Sequence, residues 1–243
     1  MPSIKLSVNV NKVATLRNSR GGREPDVLEA VGVCVHAGAH GITVHARADE
    51  RHIRPADVDG IAGLLKSFPG VEYNIEGDPR PDLLDMVLRV RPTQCTLVPV
   101  KPGEITSQAG WPADTAVGGL QPAIRRLRDA RVRVSVFVDA DPAAVRWAAA
   151  VGADRVELYT EPFARAFEAG RAEASFQTYT EVAELAHALG LGVNAGHDLD
   201  LHNLSTFKRL PHLAEVSIGH ALVSHALYVG LERSVREYLD ALV

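Results

Sequence analysis

Short apolar runs rich in β-branched residues recur along the chain, separated by longer segments whose apolar positions fall three or four residues apart, as at Val27, Val31 and Val35. The first pattern reads as strands buried on both faces and the second as amphipathic helices. Strands are predicted near Lys5–Val10, Gly41–His45, Val71–Ile75, Gln94–Pro99, Val132–Val138, Arg155–Tyr159, Leu191–Ala195 and Glu215–Ile218. Helices are predicted around Asp26–Gly38, Pro55–Ser67, Pro81–Val90, Leu120–Ala130, Pro142–Val151, Leu201–Leu210 and Ala221–Val243, with a stretch from Pro162 to Leu189 long enough for two. Proline just inside a first turn (Glu24-Pro25, Asp141-Pro142, Glu161-Pro162) and glycine at helix stops (Gly38, Gly152) punctuate the pattern.

Eight β-then-α units in 243 residues have the size and rhythm of a single (β/α)8 TIM barrel spanning 1–243, with an extra helix in the β6–β7 connection. The competing architecture is an open doubly wound sheet. That fold usually carries a glycine-rich dinucleotide turn after its first strand, and none follows Val10.

Composition narrows the partners. Hydrophobic content of 46% with only 5% aromatics predicts a core of Val, Leu, Ile and Ala. A net charge of -4 with no basic run argues against nucleic acid or a membrane surface as the main partner. Cys34 and Cys95 sit among apolar residues and read as free buried thiols, and no signal or spanning segment is evident, so a cytoplasmic protein is expected. Among ten histidines there is no His-x-His at a strand end and no His-Glu-x-x-His helix, so metal catalysis is set aside.

In a barrel of this kind, groups at the C-terminal strand ends converge on one mouth. Those ends are polar in a coordinated way: Asn9 and Asn11, His45 and Arg47, Asn194 through His197, and Gly219-His220. Guanidinium suits phosphate and imidazole exchanges protons near neutrality. Glu72 lies within the third predicted strand; facing inward it would serve as a general base, the alternative being a buried salt-bridge partner. Gly219-His220, beside Ala195-Gly196-His197, fits a phosphate cradle at a helix start. Lys12 is placed in a loop as an anion or substrate contact, and the segment 101–112 reads as either a mobile lid or an ordinary surface loop.

Taken together, Val8-Asn9-Val10-Asn11-Lys12 with the segment through Arg20-Gly21-Gly22, Gly41 through Arg47 with Arg51-His52-Ile53, Val193-Asn194-Ala195-Gly196-His197 and Ile218-Gly219-His220 closely resemble the pyridoxine 5'-phosphate synthase family. The resemblance implies condensation of 3-amino-2-oxopropyl phosphate with 1-deoxy-D-xylulose 5-phosphate, giving pyridoxine 5'-phosphate, phosphate and water without metal or organic cofactor. It assigns His45 and Glu72 as proton acceptors and His197 as proton donor. Asn9, Arg20, Gly219 and His220 would hold the amino ketone phosphate, and Arg47, His52 and Thr106 the deoxyxylulose phosphate. It also implies a homo-octamer in which Arg20 reaches a neighbouring subunit's site.

Two positions depart from the family pattern. Asn11-Lys12 stands where many members have Asp-His, and Asp198 where many have Gly; both bear on substrate and phosphate contacts. The other readings are a phosphate-binding barrel aldolase or isomerase, and a non-catalytic phosphometabolite-binding barrel.

Overall fold

A computed structural model describes residues 4–100 and 106–243. Among these residues eight parallel strands close into a barrel in the order β1 to β8, each paired with its sequence neighbours and β8 with β1. The strands are β1 (Lys5–Asn9), β2 (Gly41–His45), β3 (Glu72–Gly77), β4 (Gln94–Leu97), β5 (Arg133–Val138), β6 (Arg155–Tyr159), β7 (Gly192–Gly196) and β8 (Leu213–Ile218). The helices are α1 (Asn11–Asn18), α2 (Val27–His36), α3 (Pro55–Leu65), α4 (Pro81–Val90), α5 (Val117–Asp129), α6 (Pro142–Val151), α7 (Glu161–Glu168), α8 (Ala172–Ala188), α9 (Leu204–Phe207), α10 (His220–Val229) and α11 (Leu231–Ala241). The barrel and the additional helix between β6 and β7 are those expected.

The strands alternate with a period of two residues, and both faces are buried for different reasons. Val8, Ile42, Ile75, Leu97, Val136, Leu158, Val193 and Val216 belong to the apolar core shared with the helices and are fully buried. Burial of each such side chain stabilises by about 1.5–3 kcal/mol. Residues one position away point into the barrel and are polar: Ser7, Thr43, Asn74, Thr96, Ser135, Glu157 and Asn194. The contacts prove the direction. Thr96 on β4 donates to Glu157 Oε2 on β6 (3.4 Å), and Asn194 on β7 donates to Gln94 Oε1 on β4 (3.4 Å), so these side chains meet across the interior. Ser7 and Thr43 hydroxyls lie 2.7 Å apart, and Thr96 also donates to Asn74 Oδ1 at 3.1 Å. A buried polar interior is tolerable because most of its groups are paired in this way, although Ser135 Oγ has no hydrogen-bond partner among the described residues.

Several expected boundaries move. β3 runs to Gly77, two residues beyond the expected end at Ile75. Lys12, expected in a loop after Asn11, stands in the first turn of α1. The expected helix Leu201–Leu210 shrinks to α9, and Ala221–Val243 is two helices broken at Gly230, whose φ of 87° a glycine adopts without steric cost. Pro25 precedes α2 instead of opening it; the cap is Asp26, whose carboxylate accepts from the Leu28 and Glu29 amides. Cys34 and Cys95 are free and buried, and burial pushes both thiols up to about 12. No helix of the described residues is long and apolar enough to cross a membrane.

Of the segment 101–112, residues 101–105 lie outside the described residues. Its far end is pinned: the Gly110 amide donates to Asp139 Oδ1 (3.0 Å), the Trp111 amide to the Phe137 carbonyl (2.9 Å) and the Trp111 indole to the Leu97 carbonyl (2.9 Å). A Cβ at Gly110 would lie 2.3 Å from Val138 Cα, against backbone that cannot yield. Gly110→Ala is therefore expected to destabilise the fold by about 1–3 kcal/mol. Thermal unfolding monitored by circular dichroism measures the loss, and an unchanged midpoint would contradict the close approach.

Candidate active site

The C-terminal ends of the strands surround a cavity of about 340 Å³. Of the residues singled out from sequence, Asn9, Asn11, Lys12, His45, Arg47, His52, Thr106, His197, Asp198, Gly219 and His220 line it. Arg20 does not; it is exposed in the loop after α1.

Glu72 does not line it either, and its expected role as the inward-facing base is corrected here. Its face was read properly but its end was not: Glu72 opens β3 at the opposite mouth, where it is ion-paired with Lys5 and Arg133. Burial pushes its carboxyl up, but the hydrogen bonds and charges of those two cations outweigh burial and hold it below the usual range. Glu72 is a half-buried salt-bridge partner. The carboxylate that reaches the cavity is Glu76, four residues on, on the same face of the same strand.

Glu76 pairs in register with His45 of β2, and its Oε2 lies 3.9 Å from His45 Nδ1. The two sit close because parallel strands put in-register side chains on one face side by side. Glu76 is 7% exposed, and burial, with the Glu215 carboxyl adding to it, pushes its pKa up to about 7. His45 is pulled down to about 3, by burial first and then by the charges of His52, Arg47 and Arg80. At neutral pH it is therefore an uncharged imidazole. Its backbone amide is held by Asn11 Oδ1 (2.9 Å), while buried Nε2 has no hydrogen-bond partner among the described residues and is available to a substrate. His52 is likewise lowered, to about 4, chiefly by burial and then by Arg47.

Sequence reading also missed Glu157, which lines the cavity floor from β6. Burial raises its carboxyl well above the usual range, and Glu76 and Glu215 raise it further. Gly196 of β7 makes room for it: a Cβ there would lie 2.4 Å from Glu157 Oε1. The alternation of polar residues along Arg155-Val156-Glu157 was the available signal.

On the other side of the cavity, His197 Nε2 lies 3.0 Å from Thr106 Oγ1, and Tyr159 meets the ring edge-on with centroids 5.0 Å apart. Gly219 leads into α10, whose N-terminal amides and positive dipole end face the cavity. A Cβ at Gly219 would sit 3.0 Å from both the Asn9 carbonyl oxygen and Asn9 Cβ, so a larger residue would have to push β1 aside. With Arg47, Lys12 and this helix start, the cavity offers cationic and amide groups for anions beside neutral, proton-exchanging ones. Among the described residues no group of three or more His, Cys, Asp or Glu side chains is disposed to hold a metal ion.

The sequence profile of the family described as "Pyridoxal phosphate biosynthesis protein PdxJ" matches residues 6–243. The chain is 53% identical over 239 residues to a "Pyridoxine 5'-phosphate synthase" of Bacteroides thetaiotaomicron, covering 98% of this chain and 99% of that one. It is 51% identical over 247 residues to a protein of the same name from Xanthomonas campestris pv. campestris, covering 98% and 95%. Among solved structures it is similar to 3-hexulose-6-phosphate synthase from Salmonella typhimurium, with a TM-score of 0.67, 16% identity and 98% of each chain covered, a likeness of fold alone. A profile match from the first strand to the last residue, with half of all positions shared by full-length relatives, means that the chain belongs to the PdxJ family of pyridoxal phosphate biosynthesis.

Proposed function

We propose that the chain is a pyridoxine 5'-phosphate synthase, condensing 3-amino-2-oxopropyl phosphate with 1-deoxy-D-xylulose 5-phosphate by general acid/base catalysis. Family membership supports the reaction. The roles rest on one observation: His45 and Glu76, in register on adjacent strands, and His197 border one cavity with the anion-binding groups.

Amine addition to a ketone, loss of water, loss of phosphate and ring closure each require a proton to move. General acid/base groups speed each such step by typically 10²–10⁴-fold. Glu76, with its pKa near neutrality, suits repeated uptake and release. Neutral His45 offers Nε2 as an acceptor, its backbone held by Asn11 and its Nδ1 facing Glu76. His197 delivers protons from the opposite wall. Arg47, Lys12, His52 and Thr106 would receive one phosphate, and Asn9, Gly219 and His220 the other, at the start of α10. No metal or organic cofactor takes part in this scheme. Purified protein given both phosphates should form pyridoxine 5'-phosphate, read by mass and fluorescence, and a chelator should leave the rate unchanged. Absence of product with both substrates present would defeat the assignment.

The same reading includes a homo-oligomer, an octamer by resemblance, with Arg20 serving a neighbouring subunit. Supporting it, Arg20 is exposed outside the cavity of its own chain, and Leu227 and Tyr228 at the end of α10 are 71% and 88% exposed. Mixed assemblies offer the test. Arg20→Ala and Glu76→Gln subunits, each inactive alone, should regain a fraction of the activity when dissociated and reassembled together. If mixing restores nothing, Arg20 does not act across an interface.

A further inference from the structure

The turn after β7 places two consecutive non-glycine residues in left-handed backbone, His197 with φ 78° and Asp198 with φ 40°. Residues with a Cβ adopt this region only at a steric cost. Neighbouring elements hold the turn in place. The Thr160 hydroxyl donates to the carbonyl of Gly196 (2.8 Å) and also to that of His197, and the Asn203 amide donates to the Asp198 carbonyl at 3.0 Å. Successive side chains of a regular strand point to opposite faces. Here the left-handed pair turns them toward one another, and His197 Nδ1 lies 2.7 Å from Asp198 Oδ2.

The hydrogen bond from His197 holds the Asp198 carboxyl below the usual range against the opposing effect of burial, with help from the charges of His197, His220 and Arg165. An ionised carboxylate only accepts, so His197 Nδ1 is the donor of that contact and Nε2 is the nitrogen turned to the cavity, beside Thr106 Oγ1. A carboxylate repels phosphate. This argues against Asp198 as an anion contact, the role its place in the motif suggested.

We propose that Asp198 is a positioning residue that fixes His197 as the Nδ1–H tautomer and holds its imidazolium, making Nε2 the atom that delivers the proton. The synthase reading supplies the donor role of His197 and the identity of the acceptor; the tautomer follows from the geometry. In the step, the Nε2–H bond breaks as a departing substrate hydroxyl takes the proton and leaves as water. The bonding pair stays on Nε2, the ring becomes the neutral Nδ1–H form, and Asp198 stays ionised.

The test uses the full chain labelled with ¹⁵N at histidine, with the His197 resonance assigned by its loss in His197→Gln. Two-bond ¹⁵N–¹H correlation at alkaline pH should show the Nδ1–H tautomer in the parent protein, a shift toward Nε2–H in Asp198→Ala, and an intermediate population in Asp198→Asn. The Asn variant keeps an acceptor oxygen and tolerates left-handed backbone, so it preserves the fold if the alanine variant does not. Turnover should fall roughly 10- to 100-fold in Asp198→Ala and less in Asp198→Asn, with KM for both phosphates within about twofold. An unchanged tautomer in Asp198→Ala overturns the proposal, and so does a loss confined to KM for the amino ketone, which would make Asp198 an ammonium contact. The tautomer is read without substrate, so failure of the synthase reading would leave this measurement intact.

Discussion

Glu76→Gln is expected to lower kcat by roughly 10²–10⁴-fold, whereas Glu72→Gln should turn over at close to the parental rate. The contrast follows from position alone. The two residues share the inward face of β3 but stand about 13 Å apart along it, at some 3.3 Å per residue. Glu76 faces His45 across one inter-strand step, while Glu72 is bound to Lys5 and Arg133 at the far mouth. Glutamine keeps the shape of each site and removes the proton-exchanging group. At position 76 that removes the proposed base; at position 72 it leaves two partly buried cations short of a partner and should cost about 1–3 kcal/mol of stability. Steady-state kinetics and thermal melts on both variants separate the cases. An inactive Glu72→Gln of normal stability, or an active Glu76→Gln, would reverse the assignment. Because Glu76 must be ionised to accept a proton and its pKa is pushed up to about 7, kcat/KM of the parent protein should rise with pH through that value.

This pair also marks where the sequence ceased to be legible. The ends of β2, β7 and β8 could be read because each carries its chemistry in a few contiguous residues that terminate an apolar run, and His45, His197 and His220 all border the cavity as expected. β3 has no such boundary. Its run Tyr73-Asn74-Ile75-Glu76-Gly77 alternates in the pattern of a half-exposed strand, so ending it at Ile75 turned Glu76 into a loop residue and left Glu72 as the carboxylate within the strand. Deciding that Glu76 and not Glu72 stands level with His45 required the register of β3 with β2, a relation between segments that no local pattern contains. α1 was hidden for a related reason. It begins at Asn11 without a side-chain cap, and burial of Val13, Ala14 and Arg17 stabilises it where propensity and capping offered little sign. Arg17 closes that packing with paired hydrogen bonds to Asp57, at 2.9 Å from Nη2. Glu157 was missed because the short alternation Arg155-Val156-Glu157 marks a strand face without saying that this face lines a polar barrel interior; that interior emerges only when eight strands are closed on themselves.

The polar interior has a consequence for stability that runs against the usual behaviour of acidic residues. Glu76 and Glu157 are raised by burial, so the folded chain keeps protons that the unfolded chain releases near the ordinary carboxylate range. Between those values the native state binds more protons, and stability falls as pH rises. His45 and His52 act in the opposite sense. Lowered to about 3 and about 4, they stay neutral in the folded chain while the unfolded chain binds protons below about 6.5, so their cost grows as pH falls. The two effects oppose each other in mildly acidic solution; above about pH 6.5 the histidine effect fades and the carboxylates dominate. The melting temperature should therefore decline from pH 6.5 to pH 8. Glu157→Gln keeps an acceptor for the Thr96 hydroxyl and removes the proton uptake that folding requires, so it should melt above the parent protein at pH 8, by about 2–4 °C for each kcal/mol gained, and approach it near pH 5. Scanning calorimetry across that range measures both curves. A Glu157→Gln protein that melts lower than the parent at pH 8 would mean that the ionised carboxylate is stabilised inside the barrel, and that Glu76 beside it cannot owe its proton affinity to burial.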